Sequence, residues 1–212
     1  YRWGNLSIEK ALASVGFCKE DVTDVFLTHL HFDHCGGCVD WNKDRSGYEL
    51  VFKNAVIWSN DKHWSWAAKA NSREKASFLS ENILPIKESG NLKFIPVPSL
   101  EILQSSELGF DVFFANGHTE KQMIPMIAYK GKTICFMADL LPTVGHIPVA
   151  YVMGYDTRPL LTLSEKERFL NLAADNNFYL LLEHDAHNEL ITVKHTEKGV
   201  RLNEIHSFNN LF

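Results

Sequence analysis

The segment Leu27 to Gly37, LTHLHFDHCGG, gathers His29, His31, Asp33 and His34 into six consecutive positions. Neutral imidazole nitrogens and carboxylate oxygens are the donors that zinc accepts, and a catalytic zinc site keeps a position open for water. In an extended segment His29, His31 and Asp33 would turn to one side. A bend after Asp33 would bring His34 round to the same cavity, and Gly36 and Gly37 give the chain the freedom to turn sharply there. One metal would take His29 and His31, and a neighbour would take Asp33 and His34. Four ligands do not fill two metal sites, so the remainder must come from elsewhere. Three later apolar runs end in residues of the right type: His118 in ANGHT, Asp139 in FMADL and His184 in LLEHD. Any one of them alone would read as a cap or a surface residue, but the set together reads as a metal constellation.

These residues need strands to carry them. Val25 to Leu27 reads as a short buried strand ending at His29, which puts the ligand-rich turn at a strand's carboxyl end, where α/β folds place their chemistry. Glu9 to Phe17 has helical apolar spacing and stops at Gly16. Leu50 to Ser59 reads as a strand, and Asp61 to Leu79 as a helix. NLKFIPV, FDVFFAN, MIPMIAY and KTICFMAD read as a meander of short strands, with a turn at Lys130-Gly131. A second long helix is expected from Ser164 to about Asn176, opened by a capping box of Ser164 and Glu167. FYLLLEHD reads as a buried strand, and LITVKHT with GVRLNEI as a closing hairpin turned at Lys198-Gly199. Runs of strands broken by a few helices predict stacked sheets with helices outside.

Composition bounds the function. A chain of 212 residues with 45% hydrophobic and 22% charged residues reads as one globular domain. No apolar run approaches the roughly 20 residues of a bilayer span, and the first residues lack a signal peptide's apolar core, so a cytoplasmic protein without a membrane partner is expected. The net charge of −5, with lysines and arginines scattered, argues against nucleic acid. Cys35 and Cys38 form a lone C-x-x-C, while Cys18 and Cys135 stand apart. Reduced thiols fit better than a disulfide framework or a zinc ribbon.

The order H-x-H-x-D-H, then G-H-T, then an apolar run ending in Ala-Asp, then a strand ending in His, resembles the metallo-β-lactamase superfamily from about Asp21 to the C-terminus. The resemblance implies an α+β fold, the αββα sandwich. It also implies two divalent metals, zinc above all: His29, His31 and His118 on the first, Asp33, His34 and His184 on the second, and Asp139 bridging them. Class B β-lactamases lack the bridging aspartate, and flavodiiron-type oxygen reductases carry Glu in place of His31. The general hydrolase branch remains, and DLLPTVGHIPVAYVMGYDTRP is most like its acyl-homoserine lactonase and methyl parathion hydrolase-like members. Two features depart from the pattern. Pro142 stands where such lactonases often have Tyr, with Tyr151 and Tyr155 as candidate substitutes. Only 28 residues precede His29, so a single domain spanning 1–212 and shortened in its N-terminal sheet is expected.

The chemistry so implied is hydrolysis of a small ester, lactone or phosphotriester by a hydroxide held between metals about 3.5–4 Å apart, with Asp33 orienting the hydroxide or passing a proton to the leaving group. The competing readings are a metal-dependent phosphodiesterase or nuclease, an iron-dependent sulfur dioxygenase using His29, His118 and Asp139 at a single metal, and a silent scaffold. Phe32 is a candidate for lining the substrate cavity. Trp58, Trp64 and Trp66 read chiefly as packing, His146 and His187 as outer groups or surface residues, and His63, His195 and His206 as structural or exposed. A small-molecule substrate and a homodimer complete the expectation.

Overall fold

The computed structural model describes residues 7–211. The chain divides after Ile95 into two compact units, each with its own apolar core.

The first unit opens with α1 (Ile8–Ser14), whose N-cap Ser7 accepts a hydrogen bond from the Lys10 N–H. The glycine stop expected at Gly16 is present as a positive-φ residue, which a glycine adopts without a Cβ penalty. Strand β1 (Asp24–Phe26) pairs in parallel with β4 (Val56–Ser59), and β4 pairs in parallel with β5 (Leu92–Phe94). Between β1 and β4 lie the short helix α2 (Phe32–Cys35) and a hairpin of β2 (Val39–Trp41) and β3 (Tyr48–Leu50). The helices α3 (Asp61–Ala67) and α4 (Ser80–Glu88) connect β4 to β5.

Several boundaries differ from the sequence expectation. Leu50 to Ser59 is two strands interrupted by a turn, since Leu50 closes β3 and β4 begins only at Val56. The helix expected over Asp61 to Leu79 ends at Ala67. Asn71 then accepts the N–H groups of Arg73 and Glu74 through its side chain, at 2.9 and 3.2 Å; short polar side chains offer the backbone this alternative to a helix. Trp58 and Trp64 are buried, Trp64 within the apolar core, as their packing role requires.

The second unit is a seven-stranded sheet in the order β12-β11-β10-β9-β8-β7-β6. Its strands are β6 (Ile102–Leu103), β7 (Asp111–Ala115), β8 (Gln122–Tyr129), β9 (Lys132–Phe136), β10 (Tyr179–Leu181), β11 (Leu190–Thr196) and β12 (Gly199–His206). The meander is real from β6 to β9, but NLKFIPV is not part of it: its strand β5 belongs to the first unit's sheet. Lys130 and Gly131, both at positive φ, make the two-residue turn from β8 to β9 that matches the strands' twist. Among the described residues, the only parallel pair in this sheet, β9 with β10, is bridged by α5 (Pro159–Asn176). That helix starts five residues before Ser164. Pro159 occupies its first turn, where a missing N–H costs nothing, and Ser164 instead donates its hydroxyl to the Leu161 carbonyl. Among the described residues, no helix is long and apolar enough to cross a membrane.

Candidate metal centre

In the first unit, β1 ends at Phe26 and the chain from Leu27 to His31 runs irregularly before α2 begins. The ligand-type residues are therefore not displayed by strand alternation. His29 and His31 lie in the irregular stretch, while Asp33 and His34 are carried on the turn of α2. The result is still one cluster. The His29 ring lies 4.6 Å from that of His31 and 4.0 Å from that of His34, centroid to centroid, and His34 Nε2 is 3.6 Å from Asp33 Oδ2. His29 and His31 are buried, and Asp33 keeps an exposed carboxylate.

This motif is held from three sides, twice through its backbone and once through a side chain. His63 Nε2 accepts the Leu30 N–H at 2.8 Å, which fixes that ring as the Nδ1–H tautomer. The Ser77 carbonyl accepts the Phe32 N–H at 2.9 Å. Glu74, buried, places Oε1 3.5 Å from His31 Nε2. His63 is thus structural, as expected, but its part is specific: it anchors the residue between two ligand-type histidines. Phe32 is exposed.

In the second unit Asp139 follows β9, His118 follows β7 and His184 follows β10. Asp139 Oδ2 lies 3.2 Å from His118 Nε2, and Asp139 Oδ1 lies 3.1 Å from His184 Nε2. Each carboxylate oxygen therefore addresses a different imidazole. The other ring nitrogen of His118, Nδ1, is 3.0 Å from Asp156 Oδ1. Burial works against charge on the His118 ring, yet the carboxylates of Asp139 and Asp156 outweigh it and hold its pKa up at about 9. The place is one that favours positive charge.

The loop before His118 is gripped by α5. Glu165, buried in the helix, accepts the Asn116 N–H with both oxygens at 2.9 Å and the Gly117 N–H at 2.8 Å. The Arg158 N–H donates to the Gly117 carbonyl at 2.8 Å, and the Thr157 hydroxyl to the His118 carbonyl at 3.1 Å. Gly117 sits so close to Thr162 that a Cβ would overlap its backbone, so this close approach requires glycine. After His184, Asp185 ties the next turn: it accepts the N–H groups of Val144, His187 and Asn188. Burial pushes its pKa up, but these bonds together outweigh it and hold the carboxyl below its ordinary value.

Glu74, Asp156, Glu165 and Asp185 were not among the residues singled out from sequence. Only Glu165 leaves a trace there, as a charged residue on the apolar stripe of α5, whose buried positions also include Thr162, Phe169, Leu170 and Ala173. His146 pairs through Nδ1 with Thr143 Oγ1 at 2.8 Å, while His187 is exposed. Cys35, Cys38 and Cys135 are free and buried, and Cys18 is free and exposed. Burial raises the thiol pKa values, that of Cys38 to about 12, so the C-x-x-C pair is inert packing without thiolate character.

The donors so grouped are imidazoles and carboxylates without thiolates, paired within 4.8 Å of one another in each unit: His29 with His31, Asp33 with His34, and His118 with Asp139. That chemistry suits zinc and similar divalent ions, and the residues fit the metals that the motif implies.

Comparison with known proteins agrees with this chemistry. The chain is similar to the dizinc quorum-quenching lactonase AidC, solved with its product N-hexanoyl-L-homoserine, at 25% identity over 95% of this chain and 70% of that one, with a TM-score of 0.77. It is similar in fold to a probable metal-dependent hydrolase from Staphylococcus aureus, at 24% identity over 94% of this chain and 69% of that one, with a TM-score of 0.73. It is also similar in fold to the hydrolase AbOPH of the beta-lactamase superfamily, at 20% identity over 94% and 70%, with a TM-score of 0.74. No curated protein matches it in sequence. The family model of the metallo-beta-lactamase superfamily matches residues 2–184, a span that includes every ligand-type residue named above. The chain is an α+β enzyme of the metallo-beta-lactamase superfamily.

Proposed function

We propose that the chain is a binuclear metal-dependent hydrolase acting on a small ester, lactone or phosphotriester, its two units forming one catalytic domain. The observation that carries this reading is Asp139, with one carboxylate oxygen turned to His118 and the other to His184, the disposition a carboxylate shared by two ions requires. His29, His31 and His118 would hold one ion, Asp33, His34 and His184 the other, and Asp139 both. When bound, the ions supply Lewis acidity and a water acidic enough to attack near neutral pH. The exposed carboxylate of Asp33 would take a proton from the attacking water and pass it to the leaving group, and exposed Phe32 would offer an apolar wall to an acyl or aryl substituent. No protein nucleophile is needed, and the buried thiols of Cys35 and Cys38 are unsuited to be one. AidC supports the lactone as first substrate, being a lactonase solved in complex with an acyl-homoserine product.

Elemental analysis of protein purified without chelators tests the reading, followed by turnover of a panel of lactones, aryl esters and phosphotriesters. Two zinc-like ions per chain with turnover of one of these classes supports it. One iron per chain overturns it in favour of oxygen chemistry, and cleavage of phosphodiesters alone in favour of the nuclease.

A further inference from the structure

The buried carboxylate of Glu74 is anchored by groups that have no part in the ligand set. Its Oε2 accepts the Trp66 indole N–H at 2.7 Å and the Asn71 side-chain amide at 2.6 Å. Both donors are neutral, and they hold the carboxylate so that the other oxygen, Oε1, faces His31 Nε2 at 3.5 Å. The same segment binds the motif twice more: the Ser77 carbonyl takes the Phe32 N–H, and the Phe78 ring packs 4.8 Å from the His31 ring. A carboxylate 3% exposed is costly to bury unless positive charge lies close by.

We propose that Glu74 is a positioning residue of the metal centre: its Oε1 accepts the Nε2–H of His31, which leaves Nδ1 for the metal and raises the ring's strength as a donor. The inference rests on the binuclear reading above. A carboxylate behind a metal-bound imidazole fixes the ring's tautomer and orientation, and loss of such a partner typically costs 10- to 100-fold in metal affinity. Asp156 stands in the same relation to His118, through Nδ1 at 3.0 Å. The two carboxylates would therefore leave opposite ring nitrogens for metal, Nδ1 of His31 and Nε2 of His118.

The test is a zinc titration against a chromophoric chelator with wild type, Glu74→Gln and Trp66→Phe, together with a long-range proton–nitrogen NMR spectrum of zinc-loaded wild type. The expected result is that Glu74→Gln weakens one of two zinc ions by about 10- to 100-fold and leaves the other within about threefold. Trp66→Phe, which loosens Glu74 without touching His31, should fall between. In wild type, His31 should carry its proton on Nε2. Equal zinc affinities in wild type and Glu74→Gln would overturn the proposal, as would a His31 proton on Nδ1, a measurement that does not depend on any variant folding. Failure of wild type to bind zinc would overturn the binuclear reading and this proposal with it, whereas tight binding by wild type with no loss in Glu74→Gln overturns this proposal alone.

Discussion

Glu165 offers the sharpest test of how the second half of the site is held. Its carboxylate takes the backbone N–H groups of Asn116 and Gly117 and the Asn116 amide at 3.0 Å, on the two residues that precede His118. A hydrogen bond to a charged group contributes about 1.5–3 kcal/mol, and a buried donor left without an acceptor costs a similar amount. Glu165→Ala strips the acceptor from two backbone donors, a loss of about 3–6 kcal/mol on that scale. Glu165→Gln keeps one carbonyl oxygen but sets an NH₂ against an N–H, so about half of that loss, roughly 1.5–3 kcal/mol, is expected. For a chain of this length each kcal/mol is worth roughly 2–4 °C in Tm. The Gln variant should therefore melt roughly 3–12 °C lower. Urea unfolding of metal-free protein is best followed by circular dichroism, since every tryptophan precedes residue 67 and its fluorescence would not report on the second unit. Glu167, exposed on the same helix, is the control, and its Ala variant should stay within about 0.5 kcal/mol of wild type. A Glu165→Ala protein within about 1 kcal/mol of wild type would refute the argument.

Three further outcomes are expected. Asp139→Ala should lose one bound metal per chain and most turnover, read by elemental analysis beside the activity panel; unchanged activity with two metals retained would remove Asp139 from its bridging role. Lys166 is buried, its ammonium held by the carbonyls of Tyr151 and Pro148, and burial lowers its pKa to about 8 although nearby Asp156 opposes this. Because the unfolded chain keeps that proton up to the ordinary value of 10.5, the unfolded state binds more protons between about pH 8 and 10.5, and stability from this group rises with pH across that window; the unfolding free energy of wild type minus that of Lys166→Met should climb there, and a flat difference would contradict it. In native protein one thiol, Cys18, should react with a disulfide reagent at pH 8 and four after denaturation, with Cys18 slowed because the Asp21 carboxylate beside it raises its pKa; rapid native reaction of three or four would show that the buried thiols are open.

Metal chemistry restricts ligand-type residues to a few types, which is why they stand out in the sequence, and the structure collects those of each unit into its own cluster. What was misread is the backbone between them. A strand reading of His29 to Asp33 rests on period-two alternation, but the Ser77 carbonyl takes the Phe32 N–H and the chain turns into α2 instead, a tertiary contact invisible in the local sequence. Asn71 ends the helical pattern after Ala67 in the same way, because its side chain competes for the N–H groups of Arg73 and Glu74. Ser164 and Glu167 have the capping-box spacing, yet Pro159 starts α5 a turn and a half earlier; a local signature loses to a residue that fixes φ at a better place. The supporting carboxylates were illegible for a different reason. Nothing in the types or spacing of Glu74 or Asp156 distinguishes them from surface acids, and only burial shows that they face a histidine.

That pattern of support has a consequence for how the centre is built. Each unit orients its own donors with a buried carboxylate: Glu74 behind His31 in the first, Asp156 behind His118 in the second. Glu165 adds a grip on the His118 loop from a helix of the same unit. Orientation is thus supported locally, by groups of the same unit as the donors they face. A preorganised donor loses little conformational entropy on binding, so the free energy of the metal–ligand bonds would appear as affinity rather than as folding. The centre should then differ from small zinc modules, in which metal binding is folding: the chain would keep its secondary structure when metals are removed, and the ions would add stability only by mass action.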